Sequence, residues 1–153
     1  MDATEIYVLC RNRSKATADR FLNAFGTSRT QVAEEYPYPE FVPAPEITYI
    51  NPSDLIERLE IDHESSYSLY WNCHSEAEPD QVMLFFTREG RMIVGIGGPK
   101  GPIQSELEKI ADLVGGEYGY VTSGSCPPDS RKEFVEIATA STLPCIVQGR
   151  LRS

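Results

Sequence analysis

Four groups of residues have the types and spacing to do chemistry. The first is Gly95-Ile96-Gly97-Gly98-Pro99-Lys100-Gly101, which follows an apolar run and precedes a helical pattern. In that context backbone amides can cradle a phosphate. The pattern departs from both known forms of such a loop. A dinucleotide fingerprint wants glycine where Lys100 stands, and a P-loop lysine is followed by Ser or Thr, whereas Lys100 meets Gly101-Pro102. Pro99 and Pro102 remove two donors, so the loop reads first as a connector and second as a phosphate site.

The second group pairs thiols with imidazoles, the components of an activated nucleophile. Cys73 adjoins His74, but neighbouring residues of a strand point to opposite faces. Cys126, in Ser125-Cys126-Pro127-Pro128, precedes a helix start that would stabilise a thiolate. A Cys126–His74 pair has no support from spacing. The four cysteines, Cys10, Cys73, Cys126 and Cys145, lack the close pairs of a zinc site and read as reduced, structural thiols. The third group, Glu60-Ile61-Asp62-His63-Glu64, lacks the calcium-loop pattern and reads as a solvated helix end. Neither group implies a cofactor or a metal, and no catalytic residue is assigned.

The fourth group is Glu34-Glu35-Tyr36-Pro37-Tyr38-Pro39-Glu40-Phe41. Tyrosine gives large contact area at low entropic cost, and proline pre-orders the backbone that presents it. This segment opens a charge asymmetry. Between Glu34 and Asp80 there are twelve acids and one base, Arg58, a balance of −11; the remainder holds eleven acids and thirteen bases, or +2. Such a field repels nucleic acid and anionic lipid and speeds association with basic partners. Glu34, Glu35, Tyr36, Tyr38, Glu40, Phe41 and Trp71 are therefore the candidate partner-binding residues.

The elements that must position these groups follow from periodicity and caps. Glu5–Cys10 reads as a buried strand, and Ser14 caps a helix over about 15–25 that Gly26 ends in a left-handed turn. Thr30–Tyr36 reads as a strand. The run from Glu35 to Glu46 holds prolines at 37, 39, 43 and 45 and is expected to be extended without a regular element. A strand at 47–50 is followed by a helix capped by Asn51, with Leu55, Ile56 and Leu59 inward. Strands at 67–73, 81–87 and 91–96 form a meander. A helix at 103–114 ends at Gly115-Gly116, and a strand follows at 118–122. A last helix from Ser130 to about Thr139 turns Phe134, Val135, Ile137 and Ala138 inward, and 145–148 closes the sheet. The 153 residues are expected to form a single α+β domain, with a mixed or antiparallel sheet, a central β-meander and about four helices packed on it.

The start, Met1-Asp2-Ala3-Thr4-Glu5, is acidic and leads into a short apolar run, unlike a secretory signal. No run approaches a membrane span, and the expected location is the cytoplasm. Four stretches, IYVLCRNRSKATADRFLNAF, AEEYPYPEF, YSLYWN and VMLFFTREGRMIVG, resemble small acidic bacterial proteins of unassigned biochemistry, some of them immunity partners of secreted toxins. The resemblance runs to about Gly98 and carries no catalytic residues across. It implies a non-enzymatic protein that masks a basic protein partner, such as a toxin domain with a nucleic-acid-binding active site. The alternative is a small phosphate-ligand-binding domain or enzyme built on Gly95–Gly101. A third reading is a homo-oligomer that covers its own apolar edge strand.

Overall fold

The computed structural model describes residues 4–153. Its central element is β1 (Thr4–Leu9), whose alternating residues divide between two faces. Ile6 and Val8 join one core and Tyr7 and Leu9 the other. β1 lies between β7 (Met92–Gly97) and β8 (Tyr118–Ser123), antiparallel to both. The meander continues outward through β6 (Gln81–Phe86) and β5 (Tyr67–Asn72) to β2 (Thr30–Gln31). On the other side follow β9 (Cys145–Val147) and β10 (Arg150–Arg152), giving an eight-stranded sheet in which every pairing is antiparallel. The fold is α+β, with four helices.

Helices α1 (Lys15–Phe25), α2 (Pro52–Ile61) and α3 (Ile103–Val114) supply the larger core, and α4 (Arg131–Ala140) covers the opposite face at β8 and β9. Ser14 and Ser130 accept from backbone N–H groups of the first turns of α1 and α4, and Asn51 does the same for α2. Gly115 ends α3 in the left-handed conformation. Gly26 does not: its φ is −133°, outside the left-handed region, and α1 stops there without a left-handed residue.

Other expectations are also corrected. The strand over 30–36 is two pieces, β2 and β3 (Tyr36–Tyr38), and β3 forms a separate ribbon with β4 (Ile47–Tyr49). The proline-rich run therefore does contain a regular element. The Tyr38 carbonyl accepts from Glu46 N–H, so the polar groups of residue 38 face β4 and those of Pro37 face away, where no donor is required. Ile137 is 42% exposed; α4 buries only Phe134 and Ala138 fully. β10, a charged three-residue strand, had no apolar signal.

One buried cation fastens the loops to this frame. The Arg13 guanidinium donates to five carbonyls: Leu59 (2.7 Å), Asp62 (2.7 Å) and Ser65 (3.0 Å) around the end of α2, and Thr87 (2.7 Å) and Arg91 (3.3 Å) at the β6–β7 turn. Its guanidinium carbon also lies 5.1 Å from the Phe86 ring centroid. Burial pulls its pKa down, and the nearby Asp62 opposes that effect.

Candidate partner-binding surface

The segment from β2 to the end of α2 hangs from the sheet by an internal polar network. The Tyr38 hydroxyl donates to the Asp62 carboxylate and lies 2.7 Å from Ser65 Oγ, which itself donates to Asp62 at 3.0 Å. The Tyr38 bond holds the Asp62 carboxyl below its usual range, with Ser65 adding to the effect. Arg58 stacks 4.5 Å over the Tyr38 ring and reaches Glu46 at 3.4 Å. Tyr67 Oη donates to the Pro37 carbonyl at 2.8 Å. The Tyr36 and Tyr38 rings of this segment therefore face inward.

That orientation corrects part of the expected binding set. Tyr36, Tyr38 and Trp71 are 3%, 1% and 3% exposed, and all three belong to the main core. Tyr38 and Trp71 have almost no surface to offer a partner. Phe41 stands at the opposite extreme, 93% exposed with φ 61°, a left-handed backbone that few bulky residues adopt. Glu34 and Glu35 are exposed, while Glu40 is half-buried.

The acids of the segment divide by role. Glu78 accepts from the backbone and side chains of Thr27 and Ser28, which hold its carboxyl low and pin the β5–β6 loop to the end of α1. Asp80 pairs with Lys100 at 2.7 Å, and Asp62 serves Tyr38. Glu34, Glu35, Asp54, Glu57, Glu64 and Glu76 are exposed and outside the ion pairs formed among the described residues. Asp54 and Glu57 share the outward stripe of α2 with Ile61, three and four residues apart, and Ile61 is 80% exposed.

Ile61 is not alone. Val32, Phe41, Val42, Ile47, Ile50 and Ile61 are six of the eight large hydrophobic side chains exposed among the described residues, and all lie between positions 32 and 61. The other two are Ile137 and Leu143. The segment that carries the net charge thus also carries most of the exposed apolar surface. Of these six, sequence reasoning had singled out Phe41 alone. The signal for Ile61 was its place opposite Leu55 and Leu59 on the helical wheel.

The other candidate groups are accounted for by packing. Gly98 has φ 65°; its N–H donates to Thr4 and its carbonyl accepts from Asp80. A Cβ on Gly98 would stand 2.1 Å from the Asp80 carboxylate, and one on Gly95 would stand 2.6 Å from the Tyr7 ring. Glu106 lies equally close to Gly101. Two carboxylates at the loop oppose a phosphate there. His74 lies 2.8 Å from Thr30 Oγ1 across the sheet edge. Cys126 sits on a strap, Gly124–Asp129, tied down where Tyr7 Oη donates to the Ser125 carbonyl (2.9 Å) and Arg88 N–H to Asp129 (3.2 Å). The nucleophilic pair is therefore not assembled. Cys10 and Cys145 are buried as expected, but Cys126 is exposed, so it is not a core thiol. Among the described residues no three His, Cys, Asp or Glu side chains come close enough to hold a metal ion, and no helix is long and apolar enough to cross a membrane.

No protein-family model matches the sequence, and no curated protein does. Among solved structures, the chain is similar to one in a crystal structure described as the toxic C-terminal tip of CdiA from Pseudomonas aeruginosa in complex with immune protein. The TM-score is 0.50 at 16% identity, over 87% of this chain and 91% of that one. Across that identity gap the likeness shows that the two chains share a fold.

Proposed function

We propose that this protein acts by binding rather than by catalysis, masking a basic protein partner in the cytoplasm in the manner of a toxin-neutralising immunity protein. The observation that carries this reading is the coincidence on residues 32–61 of unpaired acids with six exposed large apolar side chains. Acids steer a basic partner and set the rate of encounter, and apolar anchors hold it once docked. The shared fold with a chain of a toxin–immune-protein complex supports the same reading, as does the resemblance in sequence. At the Gly95–Gly101 loop, where the alternative reading places a phosphate ligand, the Asp80 and Glu106 carboxylates oppose that ligand.

The test is capture on the immobilised full chain from its native host, followed by reconstitution with the identified partner. The comparison variant reverses exposed charges on α2, Asp54→Lys with Glu57→Lys, which leaves the buried face of that helix untouched. The expected partner is basic, is retained at about 0.05 M salt, is released at about 0.5 M, where screening shortens to a few ångströms, and is not retained by the variant. A partner held equally by wild type and variant, or an acidic one, would overturn the reading.

A further inference from the structure

β2 pairs with only the last two residues of β5, so the first half of β5 has no strand on the edge away from β6. The chain from Glu35 to Phe41 folds back next to that edge and leaves a groove of about 230 Å³. Its walls are Val32, Pro37, Phe41 and the rings of Tyr36, Tyr67 and Tyr70, and its two carboxylates are Glu35 and Glu40. No lysine or arginine lines it.

Two polar groups of the residues lining this groove are incompletely satisfied, one of them sealed in the core. Glu40 lies beside the Ser68 backbone N–H and is in no ion pair among the described residues. Burial pushes its carboxyl up to about 7, with the Ser68 N–H opposing the shift. Tyr36 is 3% exposed, and its hydroxyl has no hydrogen-bond partner in the protein. The unpaired Glu40 carboxylate costs free energy that an incoming donor would recover.

The size and chemistry of the groove narrow the occupant. Small-molecule sites start at about 300 Å³, so this one suits a single side chain. An apolar side chain would leave Glu40 as it is. A lysine ammonium is strongly hydrated and gains little from aromatic walls. A guanidinium is planar, carries five donors, pairs with carboxylates and stacks on aromatic rings. A second copy of the chain is disfavoured by its own net charge of −9.

We propose that this groove receives an arginine side chain of the basic partner, with Glu40 pairing to the guanidinium and Phe41 and Tyr70 flanking it. The source of that arginine rests on the function proposed above, but the groove's chemistry is measurable without the partner.

The experiment is an NMR titration of the full chain with N-acetyl-glycyl-arginyl-glycine amide and its lysine and norleucine counterparts. Wild type is compared with Glu40→Gln, which keeps an acceptor for Ser68, and with Phe41→Ala, which removes a ring already in solvent. The arginine probe is expected to shift the Ser68 and Tyr70 amides, to bind several-fold more tightly than the lysine probe, and to weaken about tenfold in Glu40→Gln. Phe41→Ala is expected to weaken it severalfold. Equal binding of norleucine would overturn the proposal, as would no shift at Ser68 or Tyr70 at tens of millimolar probe. Shifts confined to Asp54, Glu57 and Glu64 would refute the groove and leave the basic-partner reading standing. Arginine binding at Ser68 and Tyr70, with no basic partner captured, would do the reverse.

Discussion

Replacing Arg13 with methionine is the most informative single perturbation of the frame. The variant keeps a flexible apolar stem but removes every donor, stranding five carbonyls that lie 2.7–3.3 Å from the guanidinium. Hydrogen bonds to a charged group are worth about 1.5–3 kcal/mol each, but bonds within one node do not add. Breaking a buried charged node costs about 3–5 kcal/mol, and the stack over Phe86 adds about 0.5–1. The loss in Arg13→Met is therefore about 4 kcal/mol, a large share of the 5–15 kcal/mol typical of a domain. For a chain of this size it lowers Tm by about 8–16 °C. Arg13→Lys keeps the charge and at most three donors, so its loss should be about half as large. Urea unfolding measures both through the midpoint, with an unchanged m-value confirming that the denatured state is the same. A loss below about 1 kcal/mol in Arg13→Met, or a larger loss in Arg13→Lys than in Arg13→Met, would refute the assignment of Arg13 as the fastener.

Two further outcomes follow from the titratable groups. Glu40 has a folded-state pKa raised to about 7, above its unfolded value, so the folded state binds the extra proton and wild-type stability falls as pH rises between the two values. Glu40→Gln should match wild type near pH 4 and exceed it at pH 8; the full shift corresponds to about 3 kcal/mol, reduced to about 1 by partial exposure. Unfolding midpoints at the two pH values check this, and a gain at pH 4 equal to that at pH 8 would contradict it. Of the four thiols, exposed Cys126 should alkylate fastest in the native state, partly buried Cys73 more slowly, and Cys10 and Cys145 only on unfolding. Burial drives the Cys10 thiol far above its usual range, which reinforces its protection. Peptide mapping after timed iodoacetamide treatment reads the order, and early labelling of Cys10 or Cys145 would contradict the packing described.

What was legible in the sequence was local. Ser14, Asn51 and Ser130 cap helices where their side chains match the first-turn geometry, and Leu107, Ile110, Ala111 and Val114 recur at the spacing that α3 buries. The meander was legible because β6 and β7 are nearly continuous apolar runs separated by a turn. The direction in which the aromatics of β3 and β5 point was also encoded. Tyr36 and Tyr38 alternate with proline, and Tyr67, Leu69 and Trp71 alternate with Ser68, Tyr70 and Asn72; each inward set has period two. Reading the prolines as a mark of surface hid that alternation and placed three core aromatics on the candidate interface. Arg13 was invisible for a different reason. Its five partners lie 46 to 78 residues away and are all backbone carbonyls, which no residue type announces.

The division of labour within residues 32–64 explains why this segment is both acidic and apolar. A surface made only for solubility would place polar residues at Ile50 and Ile61, which are 66% and 80% exposed and contribute little to the core. A surface made only for packing would not leave Asp54 and Glu57 without cations. On the proposed function, the exposed acids would speed encounter and the exposed apolar side chains would slow release. Such a surface must be held in one shape before binding, or ordering it would consume the affinity it supplies. The inward turn of Tyr38 serves that purpose, because a ring expected to contact a partner instead anchors the ribbon through Asp62, Ser65 and Arg58. Arg13 completes the support by gripping the Leu59, Asp62 and Ser65 carbonyls at the far end of the same segment. The proposed binding surface and the stability of the fold therefore meet at the end of α2, and on that proposal a change at Arg13 should weaken partner capture even though Arg13 itself is buried.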